Sequence, residues 1–164
     1  MPDAAAAEVS LQSALSQLQG GDLSGGAALL SRLLSPSSAL PAHRVPDARA
    51  NLGTALMMLG RVDDAEREYM AAVELRPTAL EYYNLGILCA DRQRNEEAHS
   101  HYRAAIALEP TSAAAYNNLG NLYRSEDGRS EEATAMYRGA LLADPRHAFA
   151  YNNLANMLKA DGRV

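Results

Sequence analysis

The chain has 164 residues, 48% of them hydrophobic, and its 15 Lys+Arg against 20 Asp+Glu give a formal net charge of −5. Nothing basic clusters enough to hold a phosphate backbone, which argues against nucleic acid as a partner; the lone cysteine, Cys89, excludes an intrachain disulfide and a cysteine-built metal site. No apolar run approaches the ~20 residues needed to span a bilayer, and MPDAAAAEVS lacks the basic start and apolar middle of a signal peptide, so a cytoplasmic or nuclear protein without a membrane partner is expected.

Residues 1–42 read as a helical pair followed by a loop. Val9, Leu11, Ala14, Leu15 and Leu18 form one apolar stripe and Leu29, Leu30, Leu33 and Leu34 another, predicting helices near 4–19 and 24–34. Between them GGDLSGG predicts a loose turn; it has neither the lysine nor the strand-to-helix setting of a phosphate loop. The connection SPSSALPAHRVP is too rich in proline and serine to be helical and marks the candidate boundary. Beyond it, helices are expected near 46–59, 62–75, 79–92, 95–108, 113–126, 130–143 and 147–160. Pro46 suits a first helical turn, Thr78 with Glu81 predicts a capping box before Tyr82, and Asn95 and Ser130 stand where second helices need caps. Pro77, Pro110 and Pro145 end the second helices, because proline disfavours a helical conformation in the residue before it.

These helices repeat. Gly53, Gly86, Gly120 and Ala155, each preceded by leucine, lie 33, 34 and 35 residues apart. In the second half of each unit come Ala65, Tyr69, Ala72 and Pro77, then Ala98, Tyr102, Ala105 and Pro110, then Ala133, Tyr137, Ala140 and Pro145. Period and pattern resemble the tetratricopeptide repeat family, a helix-turn-helix unit of about 34 residues. The units are 46–78, 79–112, 113–147 and an incomplete 148–164, with 1–42 as a degenerate N-terminal pair or cap. Three departures are small: Arg49 replaces a large residue, Gln93 replaces a turn glycine, and the turn SEDGRS carries one extra residue. The resemblance implies an all-α, right-handed superhelical solenoid of antiparallel helix pairs.

Helical geometry says what the repeat residues are for. With about 100° per residue, Tyr116, Leu119, Gly120 and Tyr123 share a face, and the small Gly120 admits the partner helix closely, as Ala133 and Ala140 do around Tyr137. Tyr69, Tyr102 and Tyr137, with Tyr82, Tyr116 and Tyr151, fall at core positions and are packing residues, not an aromatic ligand platform. Cys89 lies on the inner face of its helix and is expected to be buried.

The informative polar signal is asparagine. Asn51, Asn84, Asn118 and Asn153 immediately precede the Leu-Gly or Leu-Ala pair, roughly 150° from the centre of the packed face, and are expected to form a column. Asn121 and Asn156 lie three residues further along, and Asn117 and Asn152 flank the column. In the family, first helices line the concave surface, so the resemblance implies that the column runs along the groove. A primary amide donates to a carbonyl and accepts from an N–H, which lets it pair with the backbone of an extended peptide. This ladder most resembles the tetratricopeptide region of the O-GlcNAc transferase family, and YNNLANMLKADGRV is similar to a unit of that subgroup. Asparagine here also serves helix-to-helix hydrogen bonds or solvation. The carboxylate clamp known in the family needs lysines and arginines where Asp47, Ala50, Leu80, Tyr83, Ala114, Asn117, Phe149 and Asn152 stand, so no clamp is expected.

No catalytic, metal or cofactor constellation is found. His99 and His101, two apart on a helix, point to different faces and are expected to be solvated, while His43 and His147 stand alone in loops. Glu96-Glu97 and Glu131-Glu132 open second helices, where acidic side chains favour the dipole. The expected function is a non-catalytic scaffold that binds a protein or peptide segment, with no small-molecule substrate. The alternative is the substrate-recognition part of a longer, O-GlcNAc-transferase-like enzyme. Phe149, Tyr151, Leu154 and Leu158 lack their usual neighbouring helix, which predicts either continuation into a longer chain or self-association through the last helix.

Overall fold

The computed structural model describes residues 3–160, and these form nine α-helices and one short 3-10 turn, with no strand. The residues of the turn DGRV, 161–164, lie outside the described residues. Two compact units are present, Met1–Pro77 and Thr78–Val164.

The first unit contains α1 (Ala4–Gln19), α2 (Leu23–Leu33), the 3-10 turn (Ala42–Arg44), α3 (Val45–Met58) and α4 (Val62–Leu75). Successive helices pack on one another. Ala7, Leu11 and Ala14 of α1 are buried with Ala27, Leu30 and Leu33 of α2, whereas Val9 is 71% exposed and leaves the expected stripe. At about 100° per residue Val9 sits well off the line through Ala7, Leu11 and Ala14, so burying it would turn those three outward. The expected loose turn is tight: Asp22 accepts at Oδ1 from the Gly25 N–H at 2.9 Å, and Gly21 takes φ +89°. Asp22 N–H bonds to Gln17 O at 2.8 Å and Gly21 N–H to Leu18 O at 3.1 Å, the paired bonds of a left-handed helix ending. Gly26 then faces Leu18 so closely that a Cβ would stand 2.5 Å from its Cδ2.

The second unit contains α5 (Ala79–Asp91), α6 (Asn95–Leu108), α7 (Ala113–Arg124), α8 (Ser130–Ala143) and α9 (Ala148–Ala160). Each packs on the next, most extensively within the pairs α5–α6 and α7–α8. Its core holds Cys89, Ala98, Tyr102, Leu119, Tyr123, Ala133 and Tyr137, with Met157 of α9.

The loop between paired helices is built the same way in both units. Arg61 N–H bonds to Leu56 O at 2.8 Å and Gly60 N–H to Met57 O at 3.0 Å; Arg94 N–H bonds to Cys89 O and Gln93 N–H to Ala90 O, both at 2.9 Å. The residue in the left-handed position is Gly60 (φ +74°) in the first case and Gln93 (φ +59°) in the second. Glycine takes this conformation without steric cost and glutamine does not. The longer SEDGRS turn uses Gly128 at φ +78° with Glu126 N–H bonded to Tyr123 O. At the other ends, Arg76, Glu109 and Asp144 are extended, with φ −153°, −133° and −138°, each directly before a proline that forbids the helical alternative.

Three expected helix starts differ. Thr78 makes no side-chain cap, and Glu81 is buried, so no capping box forms: Glu81 falls on the packed side of the first turn and cannot reach back. Asn95 and Ser130 lie one residue inside their helices, with Arg94 and Arg129 at the cap positions, so neither has the extended backbone that side-chain capping needs.

Candidate functional site

Close helix pairing is what positions the polar face. A Cβ on Gly53 would stand 2.9 Å from Tyr69 Cε1, on Gly86 2.6 Å from Tyr102 Cδ1, and on Gly120 2.7 Å from Tyr137 Cε1. Each tyrosine ring therefore lies flat against a glycine of the facing helix, and its hydroxyl passes through to the far side. There Tyr69 Oη meets Thr54 Oγ1 at 3.0 Å, and Tyr137 Oη donates to Asn121 Oδ1 at 2.9 Å. Burial pushes the Tyr102 phenol far above the usual tyrosine range; Tyr83 and Asp91 add to this, and a hydrogen bond with Asn118 works against it. Gly139 repeats the device in reverse, receiving Tyr116 at 2.8 Å from where a Cβ would be. Tyr82 and Tyr116 are half-buried, but Tyr151 is 66% exposed. Tyr151 belongs to the same position of the repeat, and among the described residues no second helix follows α9 to cover it.

The eight asparagines expected along the groove do not form one uniform column. In the first unit Asn51 turns back on its own helix, donating to Asp47 O at 2.7 Å. In the second unit Asn84 and Asn117 are buried, at 9% and 6% exposure, while Asn152 and Asn156 are exposed. Between these extremes a chain of hydrogen bonds joins three helices. Asn118 of α7 donates to Tyr83 Oη of α5 at 3.2 Å and accepts from Asn117 at 3.4 Å. Asn153 of α9 donates to Asn117 Oδ1 and to Asn121 Oδ1, both at 3.0 Å. First helices thus lie side by side with their amides linked, and the linkage is internal. Among the described residues the Asn121 NH₂ and the Asn153 carbonyl take no part in it.

Next to this chain a cleft of about 280 Å³ opens between α5 and α7. Ile87, Ala90 and Leu122 give it apolar walls, and Asp91, Tyr102, Asn118, Asn121 and Ser125 supply polar groups.

His99 is a correction to the sequence reading. It is 3% exposed, not solvated, and its Nε2 lies 2.7 Å from Glu126 Oε1 while its ring sits 4.5 Å from that of Tyr123. Arg129 covers the other side, 4.1 Å from the Tyr123 centroid and 2.8 Å from Glu126 Oε2. The signal was present, since His99 lies three residues before Tyr102 and therefore on the packed stripe of α6. The cluster pins the longer turn to α6. Burial would raise the Glu126 carboxyl, but hydrogen bonds from His99 and Arg129 outweigh it and hold it below the ordinary glutamate range. His101 is half-buried, its ring 6.0 Å from Tyr82. Cys89 is buried as expected. No helix among the described residues is long and apolar enough to cross a membrane.

Family profiles described as tetratricopeptide repeat match residues 11–79 and 113–147, and one described as TPR repeat matches 86–125. No curated protein matches in sequence. Among solved structures, MamA from Desulfovibrio magneticus RS-1 superposes with a TM-score of 0.79 at 21% identity, over 96% of this chain and 86% of that one. The pilF protein of Pseudomonas aeruginosa gives 0.78 at 21%, over 95% and 69%. YrrB, described as a TPR protein with an unusual peptide-binding site, gives 0.76 at 16%, over 94% and 77%. At these identities the likeness speaks for the fold. With its helix pairs, glycine-tyrosine contacts and matches from residue 11 onward, the chain belongs to the tetratricopeptide repeat family.

Proposed function

We propose that this chain is a non-catalytic scaffold that holds an extended segment of another protein across the face made by α5, α7 and α9. The observation that carries this reading is the row of amides on adjacent first helices, held by one another and by tyrosine hydroxyls. Ordering the side chains in advance reduces what a ligand must spend to order them. The Asn121 NH₂, the Asn153 carbonyl and the exposed amides of Asn152 and Asn156 remain for a partner's backbone, which offers both donors and acceptors. Asn117 belongs to the row through its bonds to Asn118 and Asn153, whereas Asn84 is buried and Asn51, in the first unit, donates to its own helix. The peptide-binding site ascribed to the structurally similar YrrB is compatible with this use of the fold.

The test is selection from a displayed library of random nonapeptides, followed by affinity measurement on a recovered peptide. Asn121→Ala combined with Asn156→Ala should weaken it by about fivefold for each hydrogen bond lost. Unchanged affinity in the double variant refutes the proposal.

A further inference from the structure

The cleft between α5 and α7 is small for a cofactor: at about 280 Å³ it lies just below the range of sites that enclose a drug-sized ligand. It suits one long side chain. Its walls and its mouth differ in character, and that difference selects among side chains. Ile87, Ala90 and Leu122 line it with carbon, while Asp91 at the last position of α5 and Ser125 just beyond α7 place oxygen atoms at the opening. Asp91 is exposed, and among the described residues its carboxylate has no hydrogen-bond or ion-pair partner. Its charge is felt inside the cleft, where it disfavours ionisation of the Tyr102 phenol. Neutral amides of Asn118 and Asn121 make up the rest of the polar lining.

Resting on the reading that this face takes an extended segment, we propose that the cleft between α5 and α7 receives a lysine or arginine side chain of that segment. The methylene stem would lie against Ile87 and Leu122, and the cationic head would reach Asp91 and Ser125. Long basic side chains bury their stems in this way while keeping the charge near water. A glutamate of similar length would meet the Asp91 charge at the opening, and a leucine would leave the Asp91 carboxylate without a partner; the Ser125 hydroxyl, which donates to Leu122 O at 2.7 Å, keeps a lone pair to accept from a cation.

The experiment uses the full chain and a nonapeptide library in which one position at a time is fixed as each amino acid. Lysine and arginine should be enriched at one position only. Asp91→Asn should lower the affinity of a basic peptide by about two- to fivefold, the range of an exposed ion pair, and the preference should shrink in high salt. Asp91→Lys should transfer the enrichment to aspartate and glutamate. If peptides bind with no cationic preference, or if Asp91→Lys leaves the preference unchanged, the cleft assignment is overturned while the scaffold reading stands. If no peptide of any composition binds, both are overturned.

Discussion

Gly86→Ala tests the central packing device of the repeat. The added methyl would stand 2.6 Å from both Cδ1 and Cε1 of Tyr102, a residue only 2% exposed. Overpacking of this kind costs ~1–3 kcal/mol. Alanine in a helix interior returns about 1 kcal/mol relative to glycine, which leaves a net loss on the order of 1 kcal/mol. Because repeat arrays melt unit by unit, the readout should combine the urea midpoint with hydrogen exchange of α5 and α6. The decisive comparison is a second background, Tyr102→Leu, in which the ring is gone. There Gly86→Ala should become neutral or stabilising. An equal loss in both backgrounds would show that the ring contact is not the cause. Ala155 supplies a natural contrast, since it occupies the same repeat position on α9 but is exposed. Ala155→Gly should therefore destabilise α9 by about 1 kcal/mol through propensity alone, readable as faster exchange of its amides.

Gln93→Gly should raise the urea midpoint, contributing up to about 1 kcal/mol by relieving a left-handed glutamine at φ +59°. Asn153→Ala removes two hydrogen bonds and leaves Asn117 Oδ1 without a donor, while Asn121 Oδ1 keeps Tyr137, so α9 should lose about 2 kcal/mol of local protection in hydrogen exchange. Glu126 has a folded pKa held below its ordinary value of 4.5. It therefore contributes stability above that pH, and the contribution is lost as pH falls through the folded value. Glu126→Gln should flatten this acid limb of a stability-against-pH curve and lower stability at neutral pH; an unchanged acid limb would contradict the assignment.

The sequence carried the architecture plainly because it is periodic: glycine and alanine at fixed offsets mark helix contacts, and prolines mark helix ends through a local steric rule. It carried side-chain destinations less well. Glu81 satisfied a capping motif yet went inward, since the motif describes an isolated helix end and says nothing of the neighbour against which that end packs. His99 was read from its spacing to His101, when its spacing to Tyr102 was the one that decided its burial. GGDLSGG looked loose in composition, but one carboxylate, Asp22, organises it. The asparagine row was visible as a pattern, whereas its mutual hydrogen bonding depends on distances between first helices that no single helix encodes.

The row has an electrical consequence. Asparagine carries no net charge and does not titrate, so the hydrogen bonds that hold α5, α7 and α9 at their spacing do not depend on proton or salt concentration. A shift in pH or ionic strength would leave these amide bonds unchanged and act on charged groups around them, such as Asp91 and the His99–Glu126–Arg129 cluster after α7. Recognition of backbone and recognition of charge would then respond to the medium independently, the first constant and the second adjustable.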